Sequence, residues 1–74
     1  MKAADIKIMI EAGLPDADVE VFGEDGQHFD ARVFSPSFSG KSLIEQHRMV
    51  KATLGDSFSS GAVHALSLKT GVSR

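Results

Sequence analysis

The sequence predicts an α+β fold: a two-layer sandwich with helices on one face of a three-stranded mixed sheet. Three observations predict it: two stretches with apolar residues at helical spacing, two alternating stretches joined by a glycine-containing turn, and an apolar stretch after the second helix. A hairpin followed by a helical crossover makes the last strand parallel to a neighbour, and a right-handed crossover places both helices on one face. The 74 residues form one domain, with an expected ordered core of residues 3–70.

The first helix is predicted over residues 3–12, because Ile6, Met9 and Ile10 recur at helical spacing. We expect Gly13 to occupy the position just after the helix, where glycine adopts a left-handed conformation easily. Pro15 then prevents the helix from continuing.

A hairpin is predicted next, with strands over residues 18–22 and 28–34 and a turn over residues 23–26 that contains two glycines. Val19 and Val21 share one face of the first strand. In the second strand one face carries Phe29, Ala31 and Val33, and the other carries His28, Asp30, Arg32 and Phe34. This alternation predicts a sheet that is covered mainly on one side.

A second helix is predicted to start at Ser42, which forms a capping box with Glu45. Its apolar face is predicted to comprise Leu43, His47, Val50 and Leu54, continued by Phe58. Residues 59–61 break the chain, and a third strand is predicted over residues 62–69. Apolar side chains on both of its faces predict a strand covered on both sides, and residues 71–74 are expected to lack regular structure.

The composition excludes several classes of protein. The sequence has no cysteine, which excludes a disulfide framework, a thiol nucleophile and a cysteine zinc site. It has no catalytic motif, so we expect no enzyme, and no apolar run approaches the length of a membrane span. Residues 1–37 carry three basic and eight acidic side chains, a net charge of −5, whereas residues 38–74 carry five basic and two acidic ones, a net charge of +3.

The three histidines form no short chelating motif. His47 falls on the predicted apolar face of the second helix, where we expect a packed, hydrogen-bonded side chain. His28 opens the second strand beside the turn and His64 lies early in the third; the residues alone favour an exposed or structural role for each. Because two histidines cannot complete a four-ligand site, a metal site built on them requires ligands from a partner.

Four segments, in their order and spacing, resemble the BolA family: residues 28–29, 38–43, 46–50 and 64–70, the last reading His-Ala-Leu-Ser-Leu-Lys-Thr. The resemblance covers nearly the whole chain and implies an α+β domain similar to a class II KH domain. Two features depart from the family pattern. Gln46-His47-Arg48 stands where the family usually has Arg-His-Arg, and the sequence reaches Arg74 without a Thr-Pro-x-x-Trp segment, as in a short variant that lacks the C-terminal helix.

The resemblance implies a non-enzymatic protein that pairs with a monothiol glutaredoxin and bridges a [2Fe–2S] cluster, in iron–sulfur trafficking or iron sensing. His64 matches the family's cluster ligand, and His28 is the nearest candidate for the second ligand. Glutaredoxin cysteine and glutathione would supply the remaining ligands, in a Rieske-like arrangement. We therefore expect a cytoplasmic protein. The isolated chain is expected to be monomeric and to bind no cluster.

Some relatives are described as DNA-binding regulators of the stress response, so a nucleic-acid-binding regulator is the alternative. Lys41, Arg48 and Lys51 are the expected contacts. KH domains hold a nucleic-acid backbone with a Gly-x-x-Gly loop, whereas residues 40–43 read Gly-Lys-Ser-Leu. The sequence pI near 5.8 also argues against strong, sequence-independent DNA binding. A protein-interaction module without metal is a third alternative.

Overall fold

A three-stranded mixed sheet forms one layer of the molecule. The computed structural model describes residues 2–23, 28–55 and 66–73. They form α1 (Ala3–Gly13), β1 (Asp18–Phe22), β2 (Phe29–Phe34), a short 3₁₀ helix (Pro36–Phe38), α2 (Leu43–Leu54) and β3 (Leu66–Gly71). The strand order is β1-β2-β3; β2 pairs antiparallel with β1 and parallel with β3. The predicted mixed sheet is confirmed. Among the described residues, no helix has the length and apolar character needed to span a membrane.

Both helices pack on the same face of this sheet, as predicted. The core between the helices and the sheet includes three fully buried residues, Ile6 and Ile10 of α1 and Val50 of α2. The remaining core comes from the inward side of the strands and from the connections: Leu14, Val19, Phe29, Ala31, Val33, Phe38 and Leu54. On the other face of the sheet Asp30 and Arg32 are exposed, and neither described helix covers that face. The two-layer sandwich is therefore confirmed.

Gly13 is the last residue of α1, and its role differs from the one predicted. The Leu14 N–H donates to the Ile10 carbonyl at 2.8 Å, and Gly13 does not have a positive φ. A Cβ atom on Gly13 would lie 2.5 Å from Cγ2 of Thr53 in α2. Glycine is needed here because the two helices approach closely, and the prediction of a left-handed residue after the helix was wrong.

The hairpin strands have the predicted inward faces. In the antiparallel register Val19 pairs with Val33 and Val21 with Ala31. β2 begins at Phe29, one residue later than predicted. The predicted turn includes Gly23, which is described, and residues 24–26, which lie outside the described residues.

The capping box of α2 is confirmed, but the predicted buried face is partly wrong. The Ser42 hydroxyl accepts from the Glu45 N–H at 3.2 Å, and the Ser42 N–H donates to the Glu45 carboxylate at 3.3 Å. The buried residues are Gln46, Val50 and Leu54, whereas Leu43 is 62% exposed and His47 is half-buried. A polar residue occupies the first core position because its side chain is hydrogen-bonded: Gln46 Nε2 donates to the Lys41 carbonyl at 2.9 Å. The helix ends at Leu54, and Phe58 lies outside the described residues.

The third strand differs from its prediction in extent and in coverage. It runs to Gly71, which pairs with Phe34 and whose carbonyl accepts from the Ser35 N–H at 3.0 Å. Ser67 and Lys69 are exposed while Leu66, Leu68 and Thr70 are half-buried, so β3 is covered on one face. The prediction of cover on both faces was wrong, because both helices lie on the same side of the sheet. Residues 62–65 of the predicted strand lie outside the described residues.

Candidate functional site

His28 lies at the end of the sheet where β2 and β3 begin. It is exposed and directly precedes Phe29, the first residue of β2. Phe29 pairs with Leu66, the first residue of β3, so the two strands start side by side. We call this the Phe29–Leu66 end. His64, the other predicted metal ligand, lies outside the described residues, so its place in the fold stays a prediction.

Packing around Phe29 fixes the backbone next to His28. The Phe29 side chain is buried, and its ring lies against Gly23 so closely that a Cβ atom there would come within 2.3 Å of the ring atom Cδ1. The strand itself is held by pairing with β1 on one side and with β3 on the other. An imidazole carried next to a fixed strand residue is held more firmly than one on a loop, which suits a metal ligand.

His28 would contribute one ligand of a larger set. The chain has no cysteine, and within residues 2–23, 28–55 and 66–73 no group of three or more His, Asp or Glu side chains could hold a metal ion. A complete ligand set at the Phe29–Leu66 end would therefore draw on residues outside those ranges or on a partner. An exposed imidazole can take part in such a shared site, because neutral histidine is a common metal ligand.

The three predicted nucleic-acid contacts are exposed on or beside α2. Lys41 directly precedes the capping residue Ser42, and its backbone is held by two hydrogen bonds. Its N–H donates to the Phe38 carbonyl at 3.0 Å and its carbonyl accepts from Gln46. Arg48 and Lys51 are exposed residues of the helix itself. The structure thus places three cations along one short segment of the chain.

Glu45 lies among these cations and offsets part of their charge. The N–H of Ser42 lowers the pKa of the Glu45 carboxyl most, followed by the Ser42 hydroxyl. The positive charges of Lys41 and Arg48 lower this pKa further. Glu45 is therefore ionised at neutral pH, and the segment has fewer uncompensated positive charges than its count of basic residues suggests.

Two apolar residues at the same place are exposed, which was not predicted from the sequence. Leu43 is 62% exposed and Ile44 is 65% exposed, next to the basic residues of α2. The burial of Gln46 was not predicted either: it is 8% exposed, and its Oε1 has no hydrogen-bond partner within the described part of the chain. Helical periodicity predicts that apolar residues are buried and polar ones exposed. It therefore could not show that Leu43 is exposed and Gln46 is buried.

Known proteins resemble this chain in both sequence and fold. The family model described as BolA-like protein matches residues 5–73. A protein of Acinetobacter guillouiae named for the rpoN-murA intergenic region is 33% identical over 69 residues, which cover 93% of this chain and 82% of that protein. A solved bolA protein homologue from Coxiella burnetii is 42% identical with a TM-score of 0.79, and the match covers 96% of this chain and 90% of that one.

A longer plant protein contains a similar segment. SufE-like protein 1 of Arabidopsis thaliana, chloroplastic/mitochondrial, is 47% identical over 47 residues, which are 62% of this chain but 12% of that protein. The chain thus spans a small part of this relative. Two helices on one face of a three-stranded mixed sheet define the class, a small α+β domain. The chain belongs to the BolA-like protein family.

Proposed function

We propose that this chain is a non-enzymatic accessory protein that pairs with a monothiol glutaredoxin and bridges a [2Fe–2S] cluster in iron–sulfur trafficking or iron sensing. The observation that supports it is the exposed His28 at the Phe29–Leu66 end, in a member of the BolA-like family. The proposal places the protein in the cytoplasm. In this proposal the cluster is cargo that the chain and the glutaredoxin bind jointly.

The proposed ligands from this chain are His28 and His64. Leu66 stands two positions after His64 in the sequence and pairs with Phe29. His28 adjoins the other member of the same pair. Glutaredoxin cysteine and glutathione would supply thiolates, which this chain lacks. Imidazole in place of thiolate on one iron raises the reduction potential of the cluster.

Anaerobic co-purification with a monothiol glutaredoxin tests the proposal. We expect a stable complex whose visible absorption and circular dichroism show a [2Fe–2S] cluster with Rieske-like features. Reconstitution of the isolated chain under the same conditions should give no such spectrum, since its ligand set has no thiolate. A stoichiometric cluster on the isolated chain, or no complex with glutaredoxin, would contradict the proposal.

Three histidine variants identify the ligands. His64→Ala should leave the thermal melt unchanged and abolish the Rieske-like features, and His28→Ala should alter them less. His47→Ala is the matched control, because His47 is half-buried in α2. We expect it to lower stability, because it removes a half-buried side chain, without changing the cluster spectrum. An early melt of His64→Ala with a preserved cluster spectrum would make that residue structural.

The alternative function, nucleic-acid-binding regulation, is favoured by one observation: Lys41, Arg48 and Lys51 are all exposed along one segment. Charge neutralisation of phosphates would give binding that weakens steeply with salt. Glu45 and the acidic first half of the chain oppose it. We therefore rank it second.

A further inference from the structure

The outer side of α1 carries an exposed isoleucine between two carboxylates. Ile8 is 63% exposed, on the side of the helix away from the buried Ile6 and Ile10. Residues three positions apart are neighbours on a helix surface, so Asp5 and Glu11 flank Ile8, and both are exposed. An isoleucine left open to water within an acidic surface suits contact with another apolar group that has basic neighbours.

The outer side of α2 carries the same pattern with the opposite charge. Ile44 is 65% exposed. Arg48 follows it by four positions and Lys51 by seven, so both share its side of the helix. Lys41 stands in the chain just before the capping residue Ser42.

Each helix also has one charge of the other sign beside its isoleucine, Lys7 on α1 and Glu45 on α2. Adjacent residues lie about 100° apart around a helix, so neither charge shares the centre of the outer side. The Glu45 carboxylate keeps its charge, but Arg48 and Lys51 outnumber it. The dominant charges around the two isoleucines are therefore opposite.

The fold joins these two patterns into one surface. Both helices pack on the same face of the sheet and contact each other through Gly13 and Thr53, so their outer sides point the same way, away from the sheet. We call this the helix-layer surface. It consists of an acidic half, Asp5, Ile8 and Glu11, and a basic half, Lys41, Ile44, Arg48 and Lys51.

We propose that the helix-layer surface binds a second copy of this chain. A two-fold axis running between the helices places α1 of each copy on α2 of the other, so that Ile8 meets the partner copy's Ile44 twice and each acidic half meets a basic half. A nucleic acid fits this surface less well, because its phosphates would be repelled by Asp5 and Glu11 and would leave both isoleucines in water.

The contact is expected to be weak. Each helix is short, roughly 16–18 Å long at about 1.5 Å per residue, so the area buried falls in the range of transient complexes. Association should therefore depend on protein concentration and fall with salt, since charge complementarity contributes to it. Self-association differs from the monomer expected from the sequence, because the exposure of Ile8 and Ile44 was not predicted.

Charge exchange in the 74-residue chain tests the proposal. One variant makes the α1 half basic, with Ala4→Lys and Glu11→Lys, and keeps Asp5 because its carboxylate accepts from the Lys2 N–H at 3.0 Å. A second variant makes the α2 half acidic, with Arg48→Glu and Lys51→Glu. In sedimentation experiments up to millimolar concentration, each variant alone should associate at least about tenfold more weakly than the natural chain. An equimolar mixture should recover the association, because opposite charges then meet at both contacts.

Two further variants separate apolar contact from charge. Ile8→Ser should weaken self-association, whereas Val72→Ser, which changes an exposed apolar residue in the chain after β3, should leave it unchanged. Circular dichroism and a thermal melt of each variant check that the fold is kept. A natural chain that stays monomeric throughout, single variants that associate as strongly as it does, or a mixture that does not recover would each overturn the proposal.

Discussion

Gly13 and Thr53 set the distance between the two helices, because a Cβ atom on Gly13 would lie 2.5 Å from Thr53 Cγ2 and 2.8 Å from Thr53 Cβ. In an isolated helix, alanine is favoured over glycine by about 1 kcal/mol. Here the clash outweighs that preference, since inserting a methyl group into a packed contact costs about 1–3 kcal/mol. We expect Gly13→Ala to lower the free energy of unfolding by up to about 2 kcal/mol, as measured by urea denaturation.

A double variant identifies the contact responsible. Thr53→Ser removes Cγ2, the nearer of the two clashing atoms, and keeps the hydroxyl that donates to the Val50 carbonyl at 2.6 Å. Gly13→Ala should therefore cost less in a Thr53→Ser background than in the natural chain. Equal costs in both backgrounds would show that the Gly13–Thr53 contact does not set the distance between the helices.

The features of the fold that depend on local periodicity could be predicted from the sequence. The alternation of Phe29, Ala31 and Val33 predicted the buried side of β2, and the spacing of Ser42 and Glu45 predicted the start of α2. These features follow from the side-chain period of a strand and from backbone N–H groups that need acceptors at a helix start. Both can be recognised within a few residues of sequence.

Long-range contacts were not predictable in this way. The role of Gly13 depends on Thr53, forty positions later in the sequence, and glycine after a helix has a more common explanation. Gln46 takes a core position because it reaches the Lys41 carbonyl, and hydropathy ranks it below Leu43 for burial. Of the candidate site, the exposed His28 at a strand start was predictable from the hairpin pattern. The outward Ile8 and Ile44 were not, because periodicity alone does not show which apolar residues the sheet leaves uncovered.

Asp16 connects the turn after α1 to the segment after β2, and this link should depend on pH. Its carboxylate accepts from the hydroxyls of Ser37 at 2.6 Å and Ser35 at 2.8 Å, which lower the pKa of Asp16 in that order of importance. A lowered pKa in the folded state adds stability above the pKa of a free aspartate, and this stability is lost as the pH falls through the folded value. We therefore expect the natural chain to be more stable than Asp16→Asn at neutral pH, with a gap that narrows below about pH 4.

Urea denaturation of both proteins between neutral pH and pH 3 measures this gap. Ser37→Ala provides the comparison, because it removes the hydrogen bond that contributes most to the pKa shift of Asp16. The pH-dependent part of the stability should be smaller in that variant than in the natural chain. A gap between the natural chain and Asp16→Asn that keeps its size down to pH 3 would contradict the role assigned to this carboxylate.

The capping box at Ser42 should contribute measurably to the stability of α2. The Ser42 hydroxyl satisfies the Glu45 N–H, one of the amides without a partner at a helix start. Ser42→Ala should lower the free energy of unfolding by about 1 kcal/mol, whereas Ser73→Ala, at an exposed position after β3, should change it little. Thermal or urea denaturation of the two variants compares them directly. Equal stability of both variants would show that the cap is dispensable.

Nucleic-acid binding by this chain should be weak and strongly dependent on salt. The exposed cations Lys41, Arg48 and Lys51 can neutralise a few phosphates, but the net charge of the chain is −2 and Glu45 lies among them.

On a duplex, the slope of log affinity against log salt should fall by about 0.9 for each phosphate contact removed. Arg48→Gln and Lys51→Gln should each reduce the slope by roughly this amount, as measured by fluorescence anisotropy of a labelled duplex at several salt concentrations. Lys69→Gln, at an exposed position of β3, is the matched control and should leave the slope unchanged. Submicromolar, sequence-selective affinity at physiological salt would reverse the ranking of the two proposed functions.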